Sequence, residues 1–242
     1  MKKSIVLAMA VVAAMGLSAV CHAGFGLPKA KSPVASSTKT TTESASASID
    51  FTDLNDRQGK VLTNLQNGLV AELAGYYVLK NAVGMDTQNI VAAQTNLKAD
   101  PKKNASKITK ELEGENKALA QKIDTVAKGE DVAAKEKLSN AIADAKAFKN
   151  LAYAEFGLVL LDAPKLVKDA TSLTSGVKDL TVMNKAKGII STANQAGKLV
   201  PAAKKAFDAL NGAIGDAETA VGTKPVKESS AAKEQIKDIF GM

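Results

Sequence analysis

The two residue types that carry most enzyme and metal chemistry, cysteine and histidine, each occur once in this chain, side by side at Cys21 and His22. Both lie at the end of an N-terminal segment with the three parts of a secretory signal. Cleavage after Ala23 would remove them together. The remaining chain would lack the thiol and imidazole groups used by zinc, haem and iron–sulfur sites and by Ser-His-Asp or Cys-His nucleophiles. We therefore predict no catalytic, metal-binding or cofactor-binding residue, and no cofactor.

Lysine and carboxylate chemistry remains available to such a chain. Ser-x-x-Lys begins at Ser36, Ser175 and Ser230, which is close to the frequency expected by chance, and no accompanying hydrolase motif is present. Acidic residues such as Glu111 and Glu113 alternate with lysines, a pattern typical of a solvated helix face. An enzyme using Lys or carboxylate groups stays open as a third function. It predicts a buried Lys or carboxylate with a strongly shifted pKa in a cleft.

The N-terminal segment predicts export. It begins with two lysines, continues as an apolar run over residues 5–20 and ends on small residues before Gly24. This run is short for a membrane span, which needs about 20 residues. We predict that residues 1–23 are a cleaved signal peptide and that the protein is periplasmic or extracellular. The minor alternative is a lipoprotein anchored at Cys21, although Val20 is bulky for that motif.

Composition favours helices and argues against nucleic acid as a partner. The 242 residues carry a formal charge of +7, which falls to +5 without the two N-terminal lysines. Acids are spread among the lysines, Arg57 is the only arginine, and there is no Trp. Specific nucleic-acid readers rely on arginine and stacking aromatics. Without cysteine, an exported chain has no disulfides, so packing alone must stabilise it.

The chain divides into three parts. Residues 24–48 are rich in Ser, Thr, Pro and Lys, and we predict a flexible leader there. Apolar residues at helical spacing over residues 49–242 predict an all-α bundle of about six to eight helices. Pro164 and Pro201 are each predicted to end the preceding helix and to begin a new one. The predicted helices span about 50–83, 86–97, 101–128, 131–161, 164–173, 180–199, 201–217 and 229–240.

Two apolar segments are candidates for contact with a partner or a membrane. Residues 151–161 form the densest apolar stretch, which continues past Pro164 to Val167. Such a stretch is either a central core helix or a membrane-active hairpin hidden in the bundle. The last predicted helix groups three apolar residues near the C-terminus, where it either docks on its own domain or contacts a partner. The candidate contact residues are Leu151, Tyr153, Phe156, Leu158, Leu161, Ile236, Ile239 and Phe240.

These observations favour a non-catalytic function. We expect an exported helical interaction or scaffold protein of bacterial type, in one version chaperone-like, that binds a protein or an envelope component. The alternative is a membrane-active or lipid-binding helical protein, including the pore-forming type, for which a membrane surface is the partner. The oligomeric state is not indicated by the sequence.

Overall fold

The computed structural model describes residues 51–175 and 177–221, which are helical almost throughout and contain no strand. The all-α prediction is confirmed for this part of the chain. The predicted signal peptide, the predicted leader and the predicted C-terminal helix lie outside it. The helices in the described residues are α1 (Thr52–Ala82), α2 (Gln88–Ala99), α3 (Pro101–Lys128), α4 (Val132–Thr174), α5 (Leu180–Asp208) and α6 (Asn211–Val221).

Helix α1 is the central helix of the bundle. The apolar positions predicted for it are buried, and so is every residue from Gly68 to Tyr76. A helix that is buried all round needs neighbours on every side. Helix α1 packs against α2, α3, α4 and α5, most extensively against α4, while α6 packs against α3 and α4.

Several helix ends lie where the sequence predicts them. The carboxylate of Asp100 accepts a hydrogen bond from the backbone N–H of Lys103 (3.0 Å), and Pro101 occupies the first turn of α3. Asp131 caps α4 in the same way through the N–H of Ala134 (3.0 Å). These bonds satisfy backbone donors that the first helical turn leaves unpaired. Gly84, with φ of 70°, follows the end of α1 in the left-handed conformation that glycine adopts easily.

The predicted interruptions at the two inner prolines are wrong. Pro164 lies inside α4 and Pro201 lies inside α5. Residues 151–167 are therefore one continuous helix and not a hairpin. Both prolines are exposed, so water can reach the backbone around each ring. Burial of the neighbouring side chains, such as Leu166 after Pro164 and Val200 before Pro201, holds the helix together on its other face.

The real break in this region comes later, between α5 and α6. The prediction of one helix over 201–217 is wrong because the chain turns at Ala209 and Leu210. The side chain of Asp208 accepts a hydrogen bond from the amide of Asn211 (2.9 Å) across this junction. Asp162 does not cap a new helix at Pro164, because both residues lie inside α4.

Candidate functional site

One face of α4 presents apolar side chains to solvent. Leu151 is 43% exposed, Leu158 is 45% exposed and Leu161 is 61% exposed. Ala147 and Ala154 are exposed on the same face. We call these five residues the α4 strip. Their spacing alternates between four and three residues, so they form one line on the helix, about 21 Å long at 1.5 Å per residue.

The charged residues of this part of α4 lie beside the strip rather than on it. Lys149, Glu155 and Asp162 lie at other positions around the helix and are only partly exposed. The solvent-facing line between Ala147 and Leu161 is therefore uncharged. A helix face exposed to water normally carries charged or polar residues.

A shallow groove lies on another side of α4, and none of the five strip residues lines it. It has a volume of about 370 Å³ and lies between α4 and α5. Leu160, which is 42% exposed, and Pro164 form its α4 wall, while Gly197 contributes to the α5 wall. Lys198 lines the same groove. The strip and the groove are therefore two separate partly apolar surfaces of α4.

Two predicted contact residues on α4 do not belong to the strip. Phe156 is fully buried. Tyr153 is half-buried, and its hydroxyl donates a hydrogen bond to Asp208 (2.6 Å). The ammonium groups of Lys149 and Lys204 lie 5.1 and 4.5 Å from the centre of the Tyr153 ring. These two aromatic residues therefore hold α4 in the bundle. The other predicted contacts, Ile236, Ile239 and Phe240, lie outside the described residues.

A buried polar line on α1 was not predicted from the sequence. Glu72, Tyr76 and Lys80 follow one another at four-residue spacing and are all buried. Because this spacing places them on one face of the helix, they form a polar line through the core. A signal was present in the sequence, since Glu72 is the only charged residue between Gly68 and Leu79.

Two members of this line, Tyr76 and Lys80, form hydrogen bonds that tie helices together. The ammonium of Lys80 lies 3.0 Å from Glu115 and 2.8 Å from the side-chain oxygen of Asn89. The hydroxyl of Tyr76 lies 2.6 Å from the side-chain oxygen of Asn116, whose amide donates to the carbonyl of Ala206 (2.7 Å). Lys80 thus joins α1 to α2 and α3, and Tyr76 joins α1 to α3 and α5.

The third member, Glu72, has no hydrogen-bond partner for either carboxylate oxygen in the described residues. Burial raises the pKa of Glu72 well above its ordinary value, and the negative charge of Asp208 raises it further. Burial acts to raise the pKa of Asp208 as well, but hydrogen bonds from Tyr153, Lys149 and Asn211 outweigh it and lower that pKa. Glu72 therefore stays protonated under conditions in which Asp208 is ionised.

One protonated and one ionised carboxyl group resemble the general acid and general base of an enzyme. They differ from such a pair because a substrate cannot reach Glu72. Shifted pKa values are typical of catalytic sites, although buried structural networks also produce them. Both oxygens of Glu72 are sealed from solvent. A general acid must reach the atom that it protonates, either directly or through one water. The buried line is thus better suited to fixing the helices than to chemistry.

The polar cleft between α2 and α3 differs from the α4 surface. It has a volume of about 380 Å³ and is lined by amide and charged side chains over an apolar floor. Within it, the amide of Asn104 donates to the carbonyl of Asn96 (2.8 Å), and Glu115 binds Lys80. Several of its polar groups are therefore occupied in holding the helices together.

Metal and membrane sites were sought in the residues that the structure describes. They contain no group of three or more His, Cys, Asp or Glu side chains placed to hold a metal ion. None of the helices within 51–221 is long and apolar enough to cross a membrane.

No protein-family model, no curated protein and no solved structure matches this chain.

Proposed function

We propose that this chain is an exported, non-catalytic helical interaction protein that binds another protein of the cell envelope through the α4 strip. The observation that carries the proposal is the uncharged line of three exposed leucines on α4. Single exposed apolar residues are common on protein surfaces, but contiguous apolar surface usually marks a contact. Of the other large exposed apolar residues in the described chain, Val132 and Leu180 begin their helices, and Val91 lies on α2. The fourth, Leu160, lines the groove between α4 and α5.

Burial of the strip would contribute substantially to binding. Complete burial of a leucine side chain contributes about 1.5–3 kcal/mol relative to full exposure. Leu151, Leu158 and Leu161 are already close to half-buried, so each has about 1 kcal/mol left to gain on binding. Three such residues in one line supply about 3 kcal/mol, which corresponds to about a hundredfold in affinity.

The bundle behind the strip supports a scaffold role. Lys80 and Tyr76 use their polar atoms to join helices, and Tyr153 joins α4 to α5. A contact surface on a rigid helix loses less conformational entropy on binding than one on a loop. We therefore regard the buried polar groups as the framework that keeps α4 in place.

The serine variant of the strip tests the proposal. Leu151, Leu158 and Leu161 are replaced together by Ser, and Leu180→Ser is the control because Leu180 is more exposed (72%) and lies off the strip. The partner retained by the wild-type chain is identified and purified, and its dissociation constant is measured for all three proteins. We expect the serine variant to lose about a hundredfold in affinity. The control should lose less than about threefold, since it lies off the contact.

The fold must be unchanged for this comparison to hold. The three strip leucines are partly buried and serine favours a helix less than leucine, so the serine variant should be somewhat less stable than the wild type but still folded. Urea unfolding followed by circular dichroism checks this. Equal affinity of the serine variant and the wild type would overturn the assignment of the strip.

Export is part of the same proposal and has a separate test. The N-terminal signal predicts that the protein recovered from its host begins at Gly24. Intact mass of the purified protein decides this. A mass that includes an acylated Cys21 would show export as a membrane-anchored lipoprotein, and a mass that includes Met1 would overturn export.

A second candidate function is binding to a lipid surface. The observation that favours it is the pairing of exposed leucines with nearby lysines, Lys165 and Lys168, on α4. It predicts co-sedimentation of the wild-type chain with vesicles that contain anionic lipid, and release by salt. Failure to sediment with such vesicles at low salt would remove this candidate.

A further inference from the structure

The α4 strip has the spacing of a helix–helix seam. Apolar residues at alternating intervals of four and three are the a and d positions of a coiled coil, where each side chain inserts between residues of a facing helix. The strip occupies five consecutive positions of this kind, from Ala147 to Leu161. Its alternation of alanine and leucine lets a second helix approach closely. A partner with a flat surface would not require this alternating spacing of four and three residues.

The charges at the two ends of the strip differ. At the Ala147 end, Lys146 is paired with Glu218 (2.5 Å) and Lys149 with Asp208 (2.9 Å). These pairs leave that end close to neutral. The end near Leu161 therefore decides the sign of the charge that a partner would meet.

The lysines at the Leu161 end are largely unneutralised. Lys165 has one distant carboxylate contact, to Asp162 at 3.8 Å. Lys168 and Lys198 are exposed, and neither forms an ion pair within residues 51–175 and 177–221. Lys198 lies on α5 and lines the groove between α4 and α5. This end thus presents positive charge beside apolar surface.

We infer that the occupant of the α4 strip is an amphipathic helix of a partner protein, lying along α4 with acidic residues over Lys165 and Lys168. This inference rests on the proposed function and specifies its partner. The seam supplies the apolar contact, and the unneutralised lysines fix which end of the partner helix lies at which end of α4. Charge complementarity of this kind selects partners and register more than it adds affinity.

Two synthetic peptides test the inference on the full chain. Both are about 18 residues long, enough to cover the strip at 1.5 Å per residue, with leucine and alanine at the seam positions. One peptide carries two glutamates in an end turn and the other carries two lysines there. Fluorescence anisotropy at low salt measures binding of each to the wild type. We expect the glutamate peptide to bind at least about tenfold more tightly, because opposite charges meet only in that complex.

A charge-reversed protein provides the decisive comparison. Lys165→Glu with Lys168→Glu should invert the preference, so that the lysine peptide becomes the tighter ligand. Lys107→Glu with Lys110→Glu on α3 is the matched control, since these lysines are exposed at the same three-residue spacing. The control should keep the wild-type preference. Equal binding of the two peptides to the wild type, or binding of neither, would overturn the inference.

Other occupants give distinguishable results. Sedimentation with anionic vesicles that is lost in the serine variant, without peptide binding, would replace the helix by a lipid surface. A dimer in analytical ultracentrifugation that dissociates in the serine variant would replace it by a second copy of the chain. If neither peptide binds but the natural partner still requires the three leucines, the helix inference is wrong and the proposed function stands. If the natural partner ignores the leucines, both are wrong.

Discussion

At the scale of single residues, Glu72 is the most unusual group in the described structure. A carboxyl group buried without a hydrogen bond costs free energy, and an ionised one would cost far more. Four ionisable groups belong to the elements around Glu72. Tyr76 lies on the same face of α1, Lys149 and Tyr153 lie on α4, and Asp208 is at the end of α5. Burial raises the pKa of Tyr153, and its hydrogen bond to Asp208 and the negative charge there raise it further. Burial therefore favours the protonated form of Glu72.

The stability of the protein should depend on the ionisation of Glu72. Because the pKa of Glu72 is higher in the folded than in the unfolded state, its neutral form contributes stability that is fully present below the unfolded pKa. This contribution is lost as the pH rises from there toward the folded pKa, at about 1.4 kcal/mol per pH unit. Glu72→Gln should remove the decline, so that the variant is more stable than the wild type near pH 7.

Urea unfolding at several values between pH 4 and pH 8 measures this effect, with the range set by typical glutamate titration. Glu136→Gln is the control, because Glu136 is exposed near the start of α4. It should keep the pH slope of the wild type. An unchanged slope in Glu72→Gln would show that Glu72 is not the group responsible.

At the scale of elements, the contact between α1 and α4 depends on Gly68, which has no side chain where the two helices meet. A Cβ atom at Gly68 would meet the ring of Phe156, and one at Gly75 would meet the ring of Phe207. Both rings are fully buried, so neither can swing away into solvent. These glycines therefore allow aromatic side chains of the neighbouring helices to lie directly on the α1 backbone.

Alanine substitutions in α1 separate packing from helix propensity. Gly68→Ala should destabilise the protein by about 1–3 kcal/mol, because an overpacked core must shift the Phe156 ring. Gly59→Ala is the matched control in the same helix, where a Cβ meets nothing within 4 Å. It should stabilise by about 0.5–1 kcal/mol, since alanine favours the helix over glycine. Chemical unfolding measures both, and stabilisation by Gly68→Ala would contradict the packing account.

Local sequence signals predicted the beginnings of helices better than their interruptions. Asp100 followed by Pro101 and the cap at Asp131 are local patterns, and the structure contains both. The continuation of α4 through Pro164 is a tertiary effect, because the packing of residues on both sides outweighs the lost backbone hydrogen bond. A pattern restricted to neighbouring residues cannot supply that information. The same limit explains the missed break after Asp208, which depends on side chains of α4.

At the scale of the whole molecule, the sequence indicated an apolar stretch in α4 but not which of its residues face solvent. Residues 151–161 were predicted as one apolar stretch, which α4 divides between two faces. Phe156 and Val159 lie in the core, while Leu151, Leu158 and Leu161 face solvent. The division depends on which side of α4 the central helix covers, and this is fixed only by the assembled bundle. The polar line on α1 was missed for the same reason.

Site-specific photo-cross-linking in the native host tests the central claim, which is that the α4 strip is the binding surface, most directly. A photoreactive residue replaces either Ala154, in the middle of the strip, or Ala118, which is also an exposed alanine but lies on α3. We predict one dominant protein adduct from position 154 that is absent from position 118 and is lost when Leu151, Leu158 and Leu161 are changed to Ser. The same adduct from both positions, or an adduct at 154 that survives the serine changes, would contradict the account.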